Sequence, residues 1–262
     1  MAHIAITGGL SRLANSIVAL LIERNHNVTI LDSSTKSSAG YTRNVQIYEC
    51  NLTKPHNFSN LIEKVTSSEY GPIEGLVQMA RTPRMGGGLL RSYSLENYTE
   101  WLDAFNVQVI GPYFMATEIA TSEANKGKLS SIVQISSILS TQVSEAESPA
   151  YHVAKSALDG ATRVLAAALG NLSVRVNAIS PGFIEDKIGG SPKSGATKVD
   201  NVLNSIRVMP GALSAVDVSK LVCFLLGPES NGITGQTIVI DKGLSVREHL
   251  DTAIMASKTT QP

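Results

Sequence analysis

The sequence predicts an α/β protein with a doubly wound parallel sheet, and three observations carry that expectation. Short apolar runs of strand length alternate with segments of helical apolar spacing along the whole chain. The first run ends in a glycine turn that opens directly into a helical pattern. No internal linker divides the 262 residues, so one core is expected. Alternation of this kind places the strands parallel, with helices on both faces of the sheet.

Taken in order, Ala2–Thr7 is the first strand and ends in Gly8-Gly9. Leu13, Ile17, Leu20 and Leu21 repeat at helical spacing and predict a helix to Glu23. Asn27–Leu31 is a second strand that ends at Asp32, and Val45–Tyr48 a third. A helix over Phe58–Ser67 leads to a fourth strand, Gly75–Met79. Met85-Gly-Gly-Gly-Leu89 follows as a flexible rim. Leu95–Gln108 and Gly111–Asn125 are helical, with a break expected near Gly111-Pro112. Ser130–Ile135 is the fifth strand, Ala150–Gly170 a long helix and Val174–Ile179 the sixth strand. Asp186–Asp200 is rich in Gly, Ser, Lys and Pro, and is expected to be a mobile loop. A helix over Val216–Leu226 and a seventh strand over Thr237–Ile240 complete the core. The expected domain covers residues 1–245, and residues 246–262 form a surface extension.

Composition narrows the function. Lys and Arg total 22 against 22 Asp and Glu, so no basic stripe for nucleic acid and no polybasic membrane segment are expected. Met1 leads straight into a strand-like run, so no secretion leader is expected, and no apolar run reaches transmembrane length. Cys50 and Cys223 sit far apart in apolar contexts, which suits buried thiols in a reducing, cytoplasmic compartment. The five histidines are scattered without metal spacing, so no metal is expected.

Two local patterns carry chemistry. Tyr151 and Lys155 stand four residues apart, one helical turn, and so share a helix face. A nearby ammonium favours phenolate over phenol, which suits a tyrosine to exchange a proton with a carbonyl or alcohol oxygen. The second pattern is a strand that runs through Thr7-Gly8 and Ser11-Arg12-Leu13 into a helix. Glycine there lets the backbone approach a pyrophosphate, and the helix N-terminus favours its charge. Asp32, about 20 residues on, is placed to bond the adenosine ribose hydroxyls. It would repel a 2′-phosphate, so NAD is favoured, with NADP as the alternative. Arg12 either contacts a phosphate or points to solvent.

Thr7-Gly8, Asp32, Ser137, Tyr151-x-x-x-Lys155, Val176-Asn-Ala-Ile-Ser-Pro-Gly182 and Ile233-Thr-Gly-Gln-Thr237 with Asp241 occur in one order. From Ile4 to Leu244 the chain resembles the short-chain dehydrogenase/reductase family. The resemblance implies a Rossmann-type domain with a seven-stranded parallel sheet, NAD(P) across the carboxyl ends of the strands, and a homo-oligomer, tetramer or dimer. It makes Tyr151 the general acid/base, Lys155 its tuning partner and a ribose ligand, and Ser137, rather than Ser136, the group that orients the substrate carbonyl. Pro181, Gly182 and Ile184 would line the nicotinamide side, with Ile184 offering backbone groups to the carboxamide. Asp186–Asp200 becomes the candidate lid, and its Lys187, Lys193 and Lys198 would tolerate a polar or anionic small-molecule substrate.

Several positions depart from the family pattern. Arg12 and Ala14 replace glycines, and Ser11-Arg12-Leu13 is similar to the turn of the enoyl-thioester reductase branch. That branch spaces its tyrosine and lysine seven apart, whereas the separation here is four. The family's Asn-Asn-Ala-Gly is Gln78-Met79-Ala80-Arg81, so only Ala80 is retained beside the adenosine ribose. Gln108 stands for the asparagine that helps hold a water linking the lysine to solvent. Asn51, before Leu52, stands for an acid beside the adenine, and its side-chain carbonyl is expected to bond the adenine amino group. Asp186 replaces a threonine near the cofactor phosphates. The expected activity is NAD(P)-dependent interconversion of a carbonyl and an alcohol. The alternatives are a catalytically impaired binding or regulatory protein, and a reductase of a conjugated double bond.

Overall fold

In the computed structural model, which describes residues 1–34, 44–83, 88–184 and 198–259, seven strands form one sheet in the order β3-β2-β1-β4-β5-β6-β7. They are β1 (His3–Thr7), β2 (Asn27–Asp32), β3 (Val45–Glu49), β4 (Gly75–Gln78), β5 (Ser131–Ile135), β6 (Arg175–Pro181) and β7 (Thr237–Ile240). Every neighbouring pair is parallel. The side-chain period of two sends Ile4 and Ile6 to one face of β1 and Ala5 to the other. Each face builds its own apolar core. One includes Leu76, Ile132 and Val176 under the helices Phe58–Thr66, Gly111–Thr121 and Pro149–Leu169; the other includes Val28, Ile30, Val77 and Val133 under the helices Arg12–Glu23 and Ala215–Leu226.

The helices are α1 (Arg12–Glu23), α2 (Phe58–Thr66), α3 (Leu95–Phe105), α4 (Gly111–Thr121), α5 (Pro149–Leu169), α6 (Lys198–Ile206), α7 (Ala215–Leu226) and α8 (His249–Thr259). Serine starts four of them. Ser11, Ser94, Ser148 and Ser214 each accept a bond from a first-turn N–H, and Ser214 forms a reciprocal box with Asp217. Arg175, the first residue of β6, donates to the carbonyls of Leu225, Leu226 and Gly227 and so closes the C-terminal end of α7.

Three sequence expectations change. The break expected at Gly111-Pro112 is instead a π-helical turn over Asn106–Ile110 that carries α3 into α4. The extension after residue 245 contains α8, which packs on α6. The loop expected over Asp186–Asp200 gives way to α6 at Lys198, and its residues 186–197 lie outside the described residues, as do 85–87 of the glycine rim.

A polar chain crosses the core where α4 and α5 cover the sheet. The Thr162 hydroxyl donates to Gln134 Oε1 at 2.6 Å, and Gln134 Nε2 donates to Gln78 Oε1 at 2.8 Å. Gln78 Nε2 completes the chain with a 2.6 Å bond to the Pro112 carbonyl. These buried groups satisfy one another and lock β4, β5, α4 and α5 in register. Thr162→Val keeps the shape but leaves the Gln134 oxygen short of a donor. It is expected to lower stability by about 1–3 kcal/mol, read as a lower urea midpoint at unchanged slope.

Candidate active site

The chain order of the strands reverses between β1 and β4, and ligands of open parallel sheets bind at the carboxyl ends beside such a point. Gly8 follows β1 there with φ of +70°. A Cβ at Gly8 would stand 2.5 Å from the Ala80 Cα, so glycine is what lets the turn close onto the end of β4. A cavity of about 840 Å³ opens at this point, walled by Gly8, Ser11, Asp32, Asn51, Leu52 and Ala80 among others.

The sequence-predicted cofactor residues divide into groups. Asp32 ends β2, where one carboxylate oxygen accepts the Leu10 N–H at 3.1 Å and the other the Ser34 N–H at 3.4 Å. Lone pairs remain on both oxygens. Thr7 is buried, and its hydroxyl oxygen has no hydrogen-bond partner among the described residues. Ser11 is committed to capping α1 through the Ala14 N–H. Arg12 begins α1 and is exposed, whereas Leu13 packs its side chain against the core. Asn51 corrects an expectation. Its side-chain carbonyl already accepts from the Thr53 N–H at 2.9 Å and the Thr53 hydroxyl at 2.8 Å, so the free edge of the amide is its NH₂. Pro181 ends β6, and Gly182 presses so closely on Asp241 that a Cβ there would stand 2.6 Å from the Asp241 Cβ. Ile184 forms a single parallel bridge with Leu213.

The proton-handling residues converge at the end of β5. Ser137 lies two residues past that strand and caps a short 3₁₀ turn, its hydroxyl oxygen accepting the Leu139 N–H at 3.2 Å. Tyr151 and Lys155 occupy successive turns of α5, with the lysine nitrogen 5.7 Å from the phenol ring centre. Lys155 is only 3% exposed, and its ammonium donates to the Ile135 carbonyl at 2.7 Å. Burial, helped by the charge of Arg81, lowers its pKa to about 7 against an upward pull from Asp159. Gln108 sits in the π-helical turn, which packs on α5 beside Ala150 and Ala154. It is 1% exposed, and neither amide atom has a hydrogen-bond partner among the described residues.

Sequence reasoning singled out Arg81 as a departure but did not foresee its partners. The Arg81 guanidinium lies 4.8 Å from the Tyr151 ring centre and also lines the cavity. Glu147, just before α5, holds it at 3.3 Å. The unusual arginine was visible in the sequence, but no spacing rule joins position 81 to positions 147 and 151. The α3 residues Glu96, Glu100 and Asp103 on the cavity wall were equally unforeseen. Cys50 and Cys223 are buried free thiols, as expected, and burial with the charge of Asp32 pushes Cys50 up to about 12.

A dinucleotide turn joined to a Tyr-Lys pair defines an oxidoreductase of Rossmann architecture. A family model described as enoyl-(acyl carrier protein) reductase matches residues 10–245. The chain belongs to the short-chain dehydrogenase/reductase family. It is similar to the 3-oxoacyl-(acyl-carrier-protein) reductase FabG of Thermotoga maritima, 29% identical over 251 residues that cover 92% of this chain and 96% of the relative. A short-chain type dehydrogenase/reductase from Mycobacterium ulcerans superposes with a TM-score of 0.80 at 23% identity, covering 94% of this chain and 90% of that one. The structure of ElxO with NADP bound gives 0.79 at 22% identity, covering 94% and 99%.

The buried lysine makes stability depend on pH. The unfolded chain keeps this proton to about pH 10.4, whereas the folded chain releases it near 7. Between those values the unfolded chain binds the extra proton, so raising the pH favours the fold. The unfolding free energy of the wild type relative to Lys155→Met is therefore expected to increase across that window. Urea denaturation as a function of pH measures it, and a flat difference would contradict a depressed Lys155.

Proposed function

We propose that the protein is an NAD(P)-dependent oxidoreductase that interconverts a carbonyl and an alcohol on a small molecule. The observation that carries this reading is the buried Lys155 ammonium, held by the Ile135 carbonyl and placed one helical turn below Tyr151. The cavity residues fit a dinucleotide. The Gly8 cradle has no room for a Cβ, the Thr7 hydroxyl has no partner among the described residues, and Asp32 faces the space where a ribose would rest.

A dinucleotide held at this turn would supply or accept the hydride through its nicotinamide. The protein's own part is to hold the substrate oxygen and move one proton. Ser137 already accepts the Leu139 N–H, which leaves its hydroxyl hydrogen to donate to that oxygen. Tyr151 gives its phenolic proton to the same oxygen in reduction, and takes it back in oxidation. Lys155, with its pKa near 7, restores the tyrosine's proton and stabilises the tyrosinate. Gln108 offers a buried amide in the turn packed on α5, where it would hold the water of that relay. Pro181, Gly182 and Ile184 border the nicotinamide side, and Leu52, Ala80 and the free NH₂ of Asn51 the adenosine side. Residues 1–245 act as the cofactor domain and 246–262 as its extension. The four-residue Tyr-Lys separation supports carbonyl chemistry over reduction of a conjugated double bond.

NAD is the favoured cofactor. Asp32 is joined on the cavity wall by Glu96 and Asp103, and these carboxylates oppose a 2′-phosphate. Exposed Trp101, Leu102, Phe114, Val153 and Val164 on α3, α4 and α5 support a homo-oligomer, a dimer or tetramer, through those helices. Buried free thiols are in keeping with a cytoplasmic setting. No described helix is long and apolar enough to cross a membrane.

Two measurements test the reading. NADH is expected to raise the melting temperature more than NADPH, with Asp32→Ala narrowing the gap; equal shifts in the wild type would refute the preference for NAD. Across a panel of ketones and 3-oxoacyl thioesters, Tyr151→Phe is expected to lower kcat by roughly 10²-fold or more while NADH still binds. Turnover unaffected by that change would overturn the mechanism.

A further inference from the structure

Tyr151 has two cations near its ring, and they differ in kind. The Lys155 nitrogen is 5.7 Å from the ring centre, is buried, and releases its proton near neutrality. Arg81 approaches to 4.8 Å, is 40% exposed along its side chain, and presents a planar guanidinium. The side chain is held in place rather than draped. Glu147, whose side chain is 7% exposed, takes one guanidinium nitrogen at 3.3 Å, and the Thr82 carbonyl accepts from Nε at 3.3 Å. The ring is thereby bracketed from the end of β4 and from within α5.

In the proposed reaction the Tyr151 O–H bond breaks, the proton goes to the substrate oxygen, and the electron pair stays on the phenolate. A cation over a ring face is attracted by the ring quadrupole. It is attracted further when the ring acquires a full negative charge, so it stabilises the tyrosinate more than the phenol. We propose that Arg81 is a positioning residue for this step, its guanidinium clamped by Glu147 over Tyr151 to supply a second positive charge to the ring. The inference rests on the oxidoreductase reading only for its consequence in turnover; the electrostatic effect on Tyr151 stands by itself.

Asp159 lies one turn beyond Lys155 and raises the lysine's pKa. His152 is edge-on to Tyr151 at 6.4 Å, but its ring nitrogens face the carbonyls of Leu139 and Ser144. Ser137 and Gln108 are neutral. Glu147 opposes Arg81 in sign and is paired with its guanidinium at 3.3 Å.

The test uses the full chain without cofactor, labelled with tyrosine carrying carbon-13 at Cζ. The Tyr151 resonance is identified by its loss in Tyr151→Phe, and its pH midpoint is followed by NMR in the wild type, Arg81→Met and Arg81→Lys. The midpoint is expected to rise by about one pH unit in Arg81→Met and to stay near the wild-type position in Arg81→Lys, which keeps a cation. A midpoint unmoved in Arg81→Met, or moved equally in both variants, would overturn the proposal. In alcohol oxidation the acid limb of the rate profile is expected to shift upward in the same order. The titration is decided without any turnover, so its failure is distinct from failure of the assigned activity.

Discussion

An ammonium group removed from water must be compensated or give up its charge, and Lys155 does part of each. One carbonyl, at the end of β5, takes its hydrogen bond, and its pKa falls to about 7. That bond requires α5 to lie directly over the end of β5. The same placement brings Tyr151 to the strand's mouth and sets Ser137, two residues beyond Ile135, beside it. The site is therefore a consequence of how one helix is seated on one strand. Neutral polar bonds do the seating: Thr162, Gln134 and Gln78 tie α5 to β5 and β4 without a buried charge.

The cofactor side depends on a second close approach. The turn after β1 touches the end of β4 at Gly8 and Ala80, and the cavity opens from that contact. Arg81 is the next residue along the chain. An arginine there spans from the cavity wall to the Tyr151 ring, joining the two halves of the site with one side chain. Glu147 pairs with that bridge at 3.3 Å and offsets its charge.

Much of this was legible in the chain. All seven strands were visible as short runs rich in β-branched and other apolar residues bounded by turn residues; the central ones are buried on both faces, whereas the edge strands β3 and β7 are only partly buried. The Tyr-Lys pair was legible because helical geometry alone fixes the relation of residues four apart. Of the helices that escaped notice, α8 lies in a polar stretch with little apolar pattern, whereas α6 carries apolar residues at helical spacing (Val199, Val202, Leu203, Ile206) that the loop expected over Asp186–Asp200 cut across. The turn at Asn106–Ile110 was placed correctly as an irregularity but not in kind. Whether a helix breaks at Gly-Pro or absorbs an extra residue is settled by what it packs against, here Ala150 and Ala154 on α5. Asn51 shows the same limit on a smaller scale, since Thr53 takes its carbonyl by a contact of two residues that composition does not announce.

The sequence by itself determined the parallel α/β sheet, the dinucleotide turn and the Tyr151–Lys155 pair, because each follows from local periodicity or from residues within one turn or one strand–turn–helix unit. Only the tertiary structure decided what surrounds that pair. The burial of Lys155, the clamp of Arg81 by Glu147 and the chain from Thr162 to Pro112 all join residues twenty or more positions apart. Electrostatic effects depend on distance through space and on exclusion of water, and neither is written in the spacing of residues along a chain.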